Sequence, residues 1–269
     1  MYRDKANGSR IPEMFVWLVF HNLVVACLNL RKLDYPGPYV HCDIKPQNVL
    51  LYQSENQKSY RAYPSSILGD FGLYYRLDYE PITGDAGTEG HLAPEQYGPY
   101  PQSPVRVDIF QIGLLIWCMM RNVVNGLRDP PPGHQPFDPH AYGEWKKQFD
   151  NFDVGHGYSI GTYSRPLEAL VQSCLEEDVR WRPDIGTLYE SVKKGMDKCQ
   201  ARNGGLKSMT VDNLPEWEKV EYKKDEFIIG QPFTGRKHRP GQDDVGEDNN
   251  EPPTHDDVAV DLEILKGDV

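Results

Sequence analysis

Four stretches of the chain carry hydrophobic patterns that predict helices before any motif is read. From Ile11 to Leu30 apolar side chains fall all around the helical wheel, the pattern of a helix buried on every side. Ser9 is the predicted N-cap, with Pro12 near the first turn. Asp108 to Met120 is a second, nearly continuous apolar run of helical length. Pro166 to Leu175 and Asp184 to Met196 keep their apolar residues at helical spacing, which predicts two amphipathic helices. Val49-Leu50-Leu51 and Ile67-Leu68 are apolar runs of strand length. The stretch from Leu51 to Ser66, polar from Tyr52 to Pro64, reads as a surface insertion. The prolines of Arg128 to Gly133 predict a loop.

The first helix also imitates a membrane segment, because Arg3, Lys5 and Arg10 precede it. Glu13, His21, Asn22 and Asn29 interrupt it, so no apolar run reaches the ~18 residues that a span requires. A core helix is the expectation, and no membrane partner.

Charge divides the chain. The 269 residues hold 29 Lys+Arg against 40 Asp+Glu, a net charge of −11. From Pro240 to Val269 a single lysine, Lys266, faces ten acids, so −9 of that total lies in the last 30 residues. The remainder is nearly neutral. An acidic chain without a basic face argues against a nucleic-acid partner. The acidic end is nearly free of aromatics and buries too little apolar surface to offset its ordering entropy, so residues 201–269 are expected to be a disordered acidic tail. Residues 1–200 are the expected folded domain. The five cysteines (Cys27, Cys42, Cys118, Cys174, Cys199) are scattered with no zinc spacing, which predicts an intracellular location, cytoplasmic or nuclear.

The candidate chemistry follows the first helix. His41-Cys42-Asp43-Ile44-Lys45-Pro46-Gln47-Asn48 leads into the first short strand, and Asp70-Phe71-Gly72 follows the second. Two carboxylates, a lysine and an asparagine on loops suit phosphoryl transfer. One carboxylate orients or deprotonates a hydroxyl, the lysine offsets phosphoryl charge, and the asparagine and second carboxylate offer hard oxygens to magnesium.

At these residues the chain resembles the eukaryotic protein kinase family. H-C-D-I-K-P-Q-N at 41–48 is similar to the catalytic loop, and D-F-G at 70–72 to the metal-binding motif. G-T-E-G-H-L-A-P-E at 87–95 is similar to the end of the activation segment. D-I-F-Q-I-G at 108–113 resembles the start of the central hydrophobic helix, and Arg182-Pro183 the late arginine motif. All five blocks stand in family order, which makes chance negligible.

The resemblance implies a role for each residue. Asp43 is the catalytic aspartate, Lys45 the phosphate-partnering lysine of serine/threonine kinases, and Asn48 and Asp70 the magnesium ligands of an ATP–Mg2+ site. Thr88 belongs to the acceptor site of a protein substrate. His41 is an architectural histidine, Gly72 eases the turn after the metal ligand, Glu95 and Arg182 form a buried ion pair, and Asp108 holds the catalytic loop through backbone N–H groups. The fold implied is mainly α: a kinase C-terminal lobe with short β-hairpins at the catalytic and D-F-G loops.

Three departures qualify the resemblance. Only ten residues precede Ile11, and no glycine-rich loop or V-A-I-K-like strand occurs in the chain, so the small N-terminal lobe is expected to be absent. Phosphoryl transfer rests on positioning, so a chain without the nucleotide clamp is expected to be nearly inactive alone, as a truncated serine/threonine kinase. The alternative is a noncatalytic pseudokinase, or an interaction module that uses the surface facing the missing lobe. Cys42 stands where regulated kinases carry Arg, which argues against phosphorylation switches at Tyr74, Tyr75, Tyr79 or Thr83. His91 stands where Tyr or Phe is common.

Overall fold

The structure, a computed structural model, describes residues 11–33, 38–52, 58–77, 87–96, 104–121, 163–210 and 213–214. The chain divides into two units, residues 1–233 and 234–269, and every described residue belongs to the first. Ser9, Tyr79, Thr83, the loop at 128–133 and the acidic segment beyond residue 214 lie outside the described residues.

Helix α1 spans Glu13–Arg31, with Pro12 rather than Ser9 at its N-cap. Its length and apolarity would suffice to cross a membrane. Its buried residues include Met14, Trp17, Phe20, Leu23 and Cys27, and it packs against α4 (Ile185–Arg202), α2 (Val107–Met120) and the strand Ser65–Leu68. All residues of α2 are buried. Helix α3 (Arg165–Cys174) buries Leu167, Val171 and Cys174 against α2. Gly113 of α2 permits that approach, since a Cβ there would stand 2.5 Å from the Cβ of Cys174. Gly195 of α4 does the same for α1, because a Cβ there would overlap the Trp17 indole.

Helix α4 is capped by Asp184, whose carboxylate accepts the Thr187 N–H at 2.9 Å. The helix runs on to Arg202 instead of stopping at Met196, because Cys199 reaches the same core. Leu206 and Leu214 are buried beyond it and join the core, within the stretch where the sequence suggested the start of a tail.

The start of α1 is fastened by one carboxylate. Glu13 lies at the positive end of the helix dipole and accepts from the Trp17 indole (3.2 Å), the Ser164 N–H (3.0 Å), the Ser164 hydroxyl (2.5 Å) and Arg202 (3.0 Å). These bonds tie the N-termini of α1 and α3 to the C-terminus of α4.

Among the described residues the strands form two antiparallel pairs. β1 (Tyr39–Val40) pairs with β4 (Tyr75–Arg76), and β2 (Val49–Tyr52) pairs with β3 (Ser65–Leu68) in the register Val49↔Leu68. Only the second pair joins successive strands. The first brackets everything from the catalytic loop to D-F-G, so it is a long-range closure and not the hairpin anticipated there.

The connection between β2 and β3 is not a free surface insertion in its second half. Ala62 and Tyr63 are fully buried, and the Tyr63 ring stacks on Phe15 at 6.1 Å. Tyr60 adopts a left-handed φ of 54°, donates its hydroxyl to Gln200 Oε1 (2.6 Å), and donates its N–H to the Lys207 carbonyl (2.7 Å). The segment 58–64 is thereby bound to the end of α4.

Candidate active site

The loop between β1 and β2 carries most of the candidate residues, and its shape is imposed by α2. Asp108, in the first turn of α2 and fully buried, accepts the His41 N–H on both oxygens (3.0 and 3.1 Å) and the Cys42 N–H on one (3.0 Å). Gln111, three residues on and therefore on the same helix face, accepts the Ile44 N–H (2.9 Å) and donates to the Cys42 carbonyl (2.8 Å). Gln96 donates to that carbonyl as well (3.3 Å) and accepts the Ala93 N–H (2.7 Å). These bonds hold Cys42 at a left-handed φ of 64°, a conformation that costs a non-glycine residue about 1–2 kcal/mol. Gly87 leaves room for this knot: a Cβ there would stand 3.1 Å from both the Cys42 carbonyl and the Gln96 amide.

The clamped loop presents Asp43 to a closed triangle of polar groups. Lys45 Nζ lies 2.8 Å from Asp43 Oδ2 and 2.6 Å from Thr88 Oγ1, and the Thr88 hydroxyl donates to Asp43 Oδ1 at 2.7 Å. Asn48 Nδ2 donates to the Asp43 carbonyl (2.9 Å) and to Oδ2 (3.1 Å). Asp43, Lys45, Asn48 and Thr88 are thus brought into direct contact. With the amide nitrogen spent on Asp43, the remaining polar atom of the Asn48 side chain is its oxygen.

Asp70 reaches the same end of the β2–β3 pair by backbone geometry. The Gly69 N–H donates to the Asn48 carbonyl at 2.9 Å, which brings the segments before β2 and after β3 together. Asp70 has a φ of 59° and an exposed carboxylate, whose Oδ1 is 3.4 Å from the Gly72 N–H. The left-handed residue of this turn is Asp70 and not Gly72. What glycine provides at 72 is space, since a Cβ would press to 3.3 Å from that carboxylate oxygen.

His41 joins the two loops. Its Nε2 lies 3.0 Å from the Gly69 carbonyl and so donates, while its Nδ1 accepts the Asp43 N–H at 3.3 Å. Those bonds assign a neutral tautomer, and the ring packs against Phe71 with centroids 5.1 Å apart. His41 is fully buried and acts as a spacer between catalytic loop and D-F-G.

Glu95 and Arg182 stand apart from this cluster as a buried bidentate pair, with Nη1–Oε1 at 2.6 Å and Nη2–Oε2 at 2.8 Å. Arg182 also donates to the carbonyls of Glu176, Glu177 and Arg106 and lies 4.9 Å over the Phe110 ring. The pair pins the 87–96 segment, and with it Thr88, to the segment between α3 and α4.

The cysteines are chemically quiet. All five are free and buried. Burial pushes the Cys42 thiol far up, reinforced by the charge of Asp108, and pushes Cys118 and Cys174 up to about 12.

Sequence reasoning gave no role to Gln96, nor to Gly87 and Gln111 within the motif blocks. Gln111 had a usable signal, its i+3 spacing from Asp108 on an apolar helix that otherwise has no reason to bury an amide.

Among the described residues no three His, Cys, Asp or Glu side chains cluster as a metal site. An oxygen from Asn48 and a carboxylate from Asp70 fit magnesium in kind, as a site completed by substrate phosphates.

A family model described as "Protein kinase domain" matches residues 35–192. MAP kinase kinase mkk-4 of Caenorhabditis elegans is 28% identical over 192 residues, covering 68% of this chain and 45% of that protein. Calcium/calmodulin-dependent protein kinase type 1 of Caenorhabditis briggsae is 26% identical over 159 residues, 58% of this chain and 40% of that protein. The serine/threonine-protein kinase RUNKEL of Arabidopsis thaliana is 31% identical over 114 residues, 41% of this chain and 7% of that protein. The chain spans less than half the length of each of these relatives. With the family model covering more than half of the 269 residues and every motif block in order, the chain belongs to the protein kinase family.

Proposed function

We propose that this site transfers a phosphoryl group from ATP–Mg2+ to a serine or threonine hydroxyl of a protein, and that the visible fold is the C-terminal lobe of the kinase domain. The observation that carries the reading is the Asp43–Lys45–Thr88 triangle, with edges of 2.6 to 2.8 Å. Asp43 orients the acceptor hydroxyl and takes its proton as the new P–O bond forms. Lys45 offsets the charge on the moving phosphoryl oxygens. Asn48 and Asp70 would hold the magnesium, which supplies charge neutralisation on the phosphates. Thr88 borders the acceptor. An intracellular location is part of the proposal, supported by five scattered, unbridged cysteines.

The 269 residues contain no glycine-rich loop and no strand lysine, so these residues by themselves should hold nucleotide weakly. That favours a second reading, a noncatalytic interaction module. The outer face of the β2–β3 pair would be its surface: Leu50, Tyr52 and Ile67 are 61%, 55% and 48% exposed, with Leu50 opposite Ile67.

A thermal-shift titration separates the two. The phosphotransfer reading expects magnesium-dependent stabilisation by millimolar ATP that Asp70→Asn removes. No shift at millimolar ATP with magnesium, in the longest polypeptide that contains these 269 residues, would leave only the interaction module.

A further inference from the structure

The 87–96 segment contains a buried imidazole that the proposed chemistry does not use. His91 is 3% exposed, and its Nδ1 is buried with no hydrogen-bond partner among the described residues. Its N–H donates to the Thr88 carbonyl at 2.9 Å, closing a turn from Thr88 to His91. The side chain of Thr88 meanwhile bonds both Asp43 and Lys45. His91 is therefore one backbone hydrogen bond away from the group that borders the acceptor.

We propose that His91 is a positioning residue, which keeps Thr88 against Asp43 and Lys45 only while its imidazole is uncharged. A neutral ring fills its site at the cost of one unsatisfied nitrogen. A charged ring there would be a desolvated cation with a donor at Nδ1 and no acceptor for it. Two charged groups from the neighbouring catalytic loop act on it, Lys45 by repulsion and Asp43 by attraction. Asp43 is already bonded to Lys45, Asn48 and Thr88, and on the segment itself Glu95 is committed to Arg182 while Glu89 is exposed. Burial first, and then Lys45, hold the His91 pKa below its ordinary 6.5. When the proton does bind, the ring relieves its charge by leaving the site. That breaks the Thr88–His91 turn and draws Thr88 away from the triangle.

The consequence for turnover rests on the phosphotransfer reading, but the geometry can be tested without turnover. In the full 269-residue chain, imidazole and threonine-methyl resonances are followed by NMR from pH 8 to pH 5. The His91 signal is identified by its absence from His91→Phe. The expected result is that His91 gains its proton below pH 6.5 and that the Thr88 methyl signal moves with the same midpoint. In His91→Phe, which fills the site without titrating, the Thr88 movement is lost. If Phe does not fold, His91→Asn serves as the uncharged variant. A His91 midpoint at or above 6.5, a Thr88 signal that does not follow it, or a Thr88 response that survives in the variant overturns the proposal. If the coupling is found but no serine or threonine is ever phosphorylated, the phosphotransfer reading fails alone.

Discussion

Replacing Asp108 with Asn should loosen the catalytic loop while leaving the shape of α2 intact. The carboxylate is fully buried and receives the His41 N–H on both oxygens and the Cys42 N–H on one, at 3.0 to 3.1 Å. A hydrogen bond to a charged group contributes about 1.5–3 kcal/mol. Asparagine keeps one acceptor oxygen, so about one such bond is lost, and its amide N–H2 is turned toward a backbone donor. Removing a buried charge works in the other direction, which holds the expected cost to about 1–3 kcal/mol. Asp108→Ala forfeits both donors and should cost about 3–6 kcal/mol by the same unit values. Against a total stability of about 5–15 kcal/mol either change is large enough for urea unfolding to resolve. Hydrogen exchange supplies the local readout: the His41 and Cys42 amides should lose protection relative to the amides in the middle of α2. A destabilisation below about 1 kcal/mol, with those two amides as protected as before, would refute the claim that Asp108 sets the loop.

Other expectations follow from the same packing. Arg182→Met should cost about 3–5 kcal/mol in chemical denaturation because it strands the buried Glu95 carboxylate, whereas adding Glu95→Gln to it should recover part of the loss. Gly195→Ala should destabilise by about 1–3 kcal/mol although alanine favours helix, since its Cβ would overlap the Trp17 indole; a neutral or stabilising result would mean α1 and α4 are not so closely packed. His21 and His91 are both held below their ordinary 6.5 mainly by burial. The unfolded chain then takes up protons near pH 6.5 before the folded one does, so stability should fall as the pH drops below about 6.5 and stay level above it. Urea midpoints at pH 7.5 and pH 5.5 check this, and His91→Phe should reduce the difference.

The elements that were legible are those whose signal is local. α2 announces itself as an apolar run and begins within one residue of its predicted start at Asp108. The amphipathic α3 and the start of α4 at Asp184 follow from helical spacing. The motif blocks were legible as types of residue in order. Their geometry was not, because it depends on partners far along the chain. Nothing near Cys42 reveals that its carbonyl is held by Gln96 and Gln111, some 54 and 69 residues away. β1 and β4 are too short to show an alternating pattern, and their pairing is fixed by the loops they enclose. Tyr60 and Tyr63 lie in a polar stretch whose composition suggests surface, yet their rings find Gln200 and Phe15. Glu13 reads as an interruption in an apolar helix, and becomes intelligible once Ser164 and Arg202 are seen to surround it.

The central claim is that Asp43 serves a phosphotransfer site for serine and threonine. It is tested most directly by supplying radiolabelled ATP and magnesium to the longest polypeptide that contains these 269 residues. A mixed protein acceptor is included, and wild type is compared with Asp43→Asn. The account expects label on serine and threonine, none on tyrosine, and a loss of at least about 100-fold in the variant, the lower end of what a positioned general base contributes. Label on tyrosine, or a rate that Asp43→Asn leaves unchanged, would contradict it.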